Sequence, residues 1–82
     1  LLGKGKSETA IELLIDALRD DHPAVRRTAA IGLGNIGNRK ATEFLREALE
    51  DEEEFVRKAA REALEKIENK KIITLPSQAK PL

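Results

Sequence analysis

The 82-residue chain contains no cysteine, methionine, tryptophan or tyrosine, and its only aromatic residues are Phe44 and Phe55. Without cysteine there is no disulfide framework and no thiolate metal site. Without large rings, a core has to come from Leu, Ile, Val and Ala. Neither charge sign is in excess, because 15 Lys plus Arg balance 15 Asp plus Glu. That balance argues against bulk attraction to nucleic acid or an anionic membrane and leaves only a local patch. No apolar run approaches the roughly 20 residues that span a bilayer. The opening Leu1-Leu2-Gly3-Lys4 is not followed by the apolar stretch of a signal peptide. Charge itself is abundant, at 37% of residues. Together with the missing Cys and Met, this fits a heat-adapted cytoplasmic protein. The length suffices for one small domain, which buries only about 60% of its unfolded surface.

What is present is a repeat. Shifted by 31 residues, segment 10–37 aligns without a gap over segment 41–68, and 11 of the 28 pairs are identical. The identities include Leu14/Leu45, Asp20/Asp51, Val25/Val56, Arg26/Arg57, Ala29/Ala60 and Ile36/Ile67. Most identities are apolar or small, so the repeating quantity is a packing surface. Each unit reads as two helices. Ala10, Ile11, Leu14, Ile15, Ala17 and Leu18 recur at spacings of three and four, a helical stripe. Asp20-Asp21-His22 interrupts it, and Pro23 suits the first turn of the next helix. Val25, Ala29, Leu33 and Ile36 make the second stripe, with Gly37 as its C-cap. In the second unit the spacing predicts helices over 41–50 and 54–68. One such hairpin cannot bury its apolar face, whereas stacked hairpins share a continuous core. A four-helix bundle from a duplicated hairpin is the rival, disfavoured by the 31-residue period and short connections.

Gly32-x-Gly34-x-x-Gly37 matches the spacing of a dinucleotide-binding loop, but not its context. That loop follows a strand and opens a helix, whose amides meet the pyrophosphate. Here the glycines fall in the last turns of a helix, where carbonyls repel phosphate. The sibling positions are Ala63, Glu65 and Glu68. The glycines therefore read as packing residues that let a neighbouring helix approach.

Val25-Arg26 and Val56-Arg57 after the turn, the Ala29-Ala30 pair and the Leu33-to-Gly37 ending together resemble HEAT repeats, specifically the short HEAT-like repeats of the phycocyanobilin-lyase type. The resemblance covers nearly everything from residue 2 to residue 68 and implies an all-α, α-α superhelix. It also implies a ladder of charged hydrogen bonds between successive turns, made by Asp20, Arg26, Asp51 and Arg57. The physics agrees, since an arginine near a helix N-terminus opposes the macrodipole and needs a carboxylate. The sequence departs from the family at His22 and Glu53, where another Asp is common. HEAT-like repeats also build iron-dependent deoxyhypusine hydroxylases, but this chain has none of their His-Glu dipeptides, and the residues of a bilin-lyase site are not recognisable.

The expected organisation is the end of a preceding repeat over 1–9, a repeat over 10–40, a capping repeat over 41–69 and a tail over 70–82. Leu2-Gly3 aligns with Leu33-Gly34 at the same offset, as the last turn of an earlier unit. The cap is read from charge: Ala30, Ile31, Gly34 and Gly37 become Arg61, Glu62, Glu65 and Glu68. Glu54/Lys58, Lys58/Glu62, Arg61/Glu65 and Glu62/Lys66 are opposite charges four apart. The first hairpin is expected to expose an apolar face through Ile11 and Ile15, open to self-association.

No catalytic constellation is present. His22 is alone, no Ser or Thr has a nearby base, and Asp51-Glu52-Glu53-Glu54 lacks the spacing of a calcium loop. No cofactor or metal is expected. The sequence reads as a non-catalytic protein–protein interaction or scaffolding module from the C-terminal part of a longer array. Its candidate partner surface lies on the first helices, at Glu12, Asp16, Arg19, Glu43 and Glu47. Two alternatives remain open: an accessory or lyase-like enzyme with its active residues in other repeats, and phosphate binding along Arg26-Arg27 and Arg57-Lys58. Zero net charge and the lack of an aromatic platform weigh against nucleic acid.

Overall fold

The computed structural model describes residues 5–72, with side chains described over 8–69. These residues form α1 (Gly5–Ala17), α2 (Pro23–Ile36), a 3-10 turn (Arg39–Ala41), α3 (Thr42–Ala48) and α4 (Glu54–Ile72). Two helical hairpins, α1–α2 and α3–α4, lie side by side. The most extensive contact is between α2 and α4, whereas α1 and α3 scarcely meet. The chain is therefore all-helical over its described residues, with tight packing in one layer and an open second layer.

Local chemistry sets the helix ends. Pro23 opens α2 where a missing amide hydrogen costs nothing. Gly37 closes it at φ 73°, ψ 23°, donating its N–H to the Leu33 carbonyl. This left-handed conformation strains a residue with a Cβ, so glycine is the fitting choice. The Asn38 side chain then accepts from Lys40 N at 2.7 Å and starts the 3-10 turn. α3 is short because its end tightens: Leu49, Glu50 and Asp51 donate to carbonyls three residues back.

The core is aliphatic. Leu33, Leu45 and Val56 are its largest fully buried side chains, with Ile11, Leu18, Ala29, Ala30, Ala60 and Ile67 around them. α2 and α4 approach closely at Gly34. A Cβ there would lie 2.7 Å from the Ala63 Cα and 2.8 Å from its Cβ. Gly32 faces the other neighbour, α1, where a Cβ would meet the flexible end of Leu14 at 3.2 Å. Both glycines are thus packing residues within a helix, and α2, not a strand, leads to Gly37.

Several expectations differ from the structure. α1 extends back to Gly5, five residues ahead of the apolar stripe, and α4 runs on to Ile72. Ile11 is not an exposed face residue but is buried, and Ile15 packs half-buried against the core. Among the described residues, the exposed large apolar residue of α1 is Leu13, because none of them covers that side of the helix. In α2 the stripe is buried only at its centre, and Val25 and Ile36 at its ends are exposed. None of the four oppositely charged pairs on α4 closes to an ion pair: these side chains are exposed, and Lys66 reaches Asn35 on α2 instead. Leu2-Gly3 and the segment 73–82 lie outside the described residues.

Candidate partner-binding surface and the inter-hairpin ion pair

The two helix-to-helix turns, Asp20–Pro23 and Asp51–Glu54, have the same construction. In the first, the Asp20 carboxylate accepts from the His22 amide at 2.9 Å and from His22 Nδ1 at 3.0 Å. In the second, Asp51 accepts from the Glu53 amide at 2.9 Å. The His22 and Glu53 carbonyls each accept the amides three and four residues on, starting α2 and α4. His22 makes no side-chain cap. The upstream aspartate orders each turn instead, so a second Asp before the helix is not needed.

An arginine crosses from one turn to the next. Arg26 Nε donates to Asp51 Oδ2 at 2.7 Å and Nη2 to Oδ1 at 3.1 Å, a bidentate pair. Its Nη1 donates back to the Asp20 carbonyl at 2.7 Å. Both side chains are nearly buried. Arg57 repeats the backward bond, Nη1 to the Asp51 carbonyl at 2.6 Å. Asp20, by contrast, receives no arginine side chain on its carboxylate among the described residues. The hydrogen bonds from Arg26, with that from the Glu53 amide, hold the Asp51 carboxyl below its ordinary range, and Asp51 raises Arg26 in return. The His22 amide lowers Asp20 in the same direction.

The first-helix residues singled out by sequence are all exposed. Glu12 and Asp16 lie on α1, Glu43 and Glu47 on α3, and Arg19 in the turn after α1. Arg19 and Glu47 approach to 3.8 Å, and the Arg19 guanidinium stands 6.0 Å from the centre of the Phe44 ring. At such exposure the ion pair contributes little to stability. Its role is to define a groove of about 170 Å³ between α1 and α3, floored by Ile15, Leu18 and Phe44. Glu43 faces away from that groove, in a wider cleft with Arg39, Arg46 and Glu68. The five residues therefore make an acidic ridge along the open layer rather than one pocket.

A family model described as HEAT repeats matches residues 1–75. The chain belongs to the HEAT-repeat family. No curated protein matches it. HEAT repeats are generally protein-interaction and scaffold modules and generally not enzymes.

The HEAT hairpins also decide what the basic residues can do. Arg26 and Arg57 are engaged with the turns, so the stripe foreseen for phosphate reduces to Arg27 and Lys58, both exposed. Two links hold the hairpins at their edges: Lys40 Nζ donates to Glu8 at 2.8 Å, and Lys66 Nζ to Asn35 at 2.8 Å. Among the described residues no group of three His, Cys, Asp or Glu could hold a metal ion, and no helix is long and apolar enough to cross a membrane. Sequence reasoning missed Leu13, Ile31 and Phe55 as exposed apolar residues. Their signal was present in Phe55, an aromatic residue at a position where the first repeat has Ala24.

Proposed function

We infer that this chain is the C-terminal part of a longer array of short HEAT-like repeats of the phycocyanobilin-lyase type. It serves in the cytoplasm as a non-catalytic interaction or scaffolding module for another protein. The observation that carries this reading is the unequal cover of equivalent residues. Val56 and Ile67 on α4 are 0% and 5% exposed, while Val25 and Ile36, 31 residues earlier on α2, are 38% and 39% exposed. α4 has α2 beside it, and α2 has no helix on its other flank among the described residues. A stripe of this kind is what a preceding hairpin covers in a solenoid.

The opposite flank supports the capping role. The counterparts of the buried Ala30 and Gly34 are Arg61 and Glu65, both exposed. A charged outer face ends a solenoid in water. The ladder is likewise incomplete on one side, since Asp20 lacks the arginine that Asp51 has. The acidic ridge of Glu12, Asp16, Arg19, Glu43 and Glu47 is a partner surface of this module.

Sedimentation of the chain over a range of concentrations tests the reading. Mass should rise with concentration as a second copy covers Val25 and Ile36, with little dependence on salt because the contact is apolar. A monomer at every concentration would contradict an open repeat face.

A further inference from the structure

The tightly packed layer carries a surface of opposite character to the acidic ridge. Between α2 and α4 run two adjoining depressions of about 220 and 170 Å³, which share Ile31, Ala59 and Glu62. Ile31 and Phe55 form the exposed apolar floor. Arg27 and Lys58 stand on the rim, and Lys66 lines the far end. Neither Arg27 nor Lys58 makes an ion pair among the described residues, so their charge is unspent. With Glu62 as the single carboxylate, these side chains give the groove a positive sign in a chain whose total charge is zero.

Apolar side chains flanked by unpaired cations match a ligand with the complementary pattern. We propose that the α2–α4 groove binds an acidic amphipathic peptide segment of another protein. Its apolar side chains seat against Ile31 and Phe55, and its carboxylates meet Arg27 and Lys58. A phosphate backbone fits less well, since it offers nothing to the apolar floor. The proposal rests on the interaction-module reading and names a second surface and partner class for it.

Selection of a random peptide library displayed on phage against the immobilised chain tests the proposal. Recovered peptides should carry carboxylates flanking an apolar pair. Their binding should weaken about tenfold or more in Arg27→Glu/Lys58→Glu and in Phe55→Ala, as expected for residues at a binding centre. These side chains are exposed, so circular dichroism of the variants should match the parent. Recovery of no peptide, recovery of peptides without acidic bias, or binding indifferent to these variants would overturn the proposal. So would capture of an oligothymidylate by the same residues. Peptides that bind but respond only to changes at Glu12 and Asp16 would overturn this groove while leaving the interaction-module reading intact.

Discussion

Replacing Gly34 by alanine tests the packing that joins the two hairpins. The new Cβ would sit 2.7 Å from the Ala63 Cα and 2.8 Å from the Ala63 Cβ. Carbon atoms prefer about 3.5–4.0 Å, so α2 and α4 have to separate by close to 1 Å at this crossing. The obstacle includes main chain, so no rotamer change relieves it. Overpacking of this kind costs about 1–3 kcal/mol. Alanine recovers about 1 kcal/mol of helix propensity. The net loss is then about 0–2 kcal/mol, or a Tm lower by up to about 15 °C for a domain of this size. Gly32→Ala supplies the control. There the Cβ meets the end of the Leu14 side chain at 3.2 Å, which can rotate away. The same propensity gain should leave that variant as stable as the parent or slightly more so. Thermal unfolding followed by circular dichroism at 222 nm, where helices absorb most distinctively, reads both. A Gly34→Ala variant that melts above the parent, or above Gly32→Ala, would refute the reasoning.

Other outcomes follow from burial and from the ion pair. Leu33→Ala should destabilise by about 2–5 kcal/mol in denaturant titration, because Leu33 is fully buried; Leu13→Ala, at 63% exposure, should change stability by less than about 0.5 kcal/mol. The Asp51 carboxyl has a depressed folded-state pKa, so its contribution is present above its ordinary value of 3.8 and is lost as pH falls below it. Asp51→Asn should therefore lower stability at neutral pH and flatten the acid limb of the stability profile, read by urea titration at about pH 2–7. Gly37→Ala should lower the Tm, because alanine pays about 1–2 kcal/mol in the left-handed conformation that ends α2.

Much of this arrangement was legible in the sequence because it repeats. Pro23 and Gly37 mark the ends of α2 through backbone chemistry that needs no tertiary context. The 31-residue shift sets Gly32 and Gly34 against Ala63 and Glu65, which marks these glycines as packing residues rather than a phosphate loop. What remained illegible depended on neighbours. The sequence Gly5 to Thr9 carries no apolar stripe, so nothing signalled that α1 begins there. The polar residues after Glu68 hid the last turn of α4 in the same way. An apolar position also does not announce what covers it: Ile11 is buried under its own hairpin, while Val25 and Ile36 are exposed. The resemblance implied a ladder between successive turns, and Arg26 gives its two bonds to a side chain to Asp51, 25 residues on. Its bonds to the Asp20 and Asp21 carbonyls are the local ones. The groove proposed for a partner was the least legible feature, since exposure of Phe55 and Ile31 depends on how α2 and α4 are set against each other.

If α2 and α4 occupy equivalent places in a stacked array, α4 is covered by α2 and the matching face of α2 is open. Thermal unfolding of Val25→Glu beside Val56→Glu, in dilute solution, tests it most directly. Val56 is fully buried, so a glutamate there should abolish cooperative folding. The same change at Val25, the identical residue of the preceding repeat, should shift stability by no more than about 0.5 kcal/mol. Comparable loss at the two positions would mean that the α2 face is packed within the monomer, and would contradict the array.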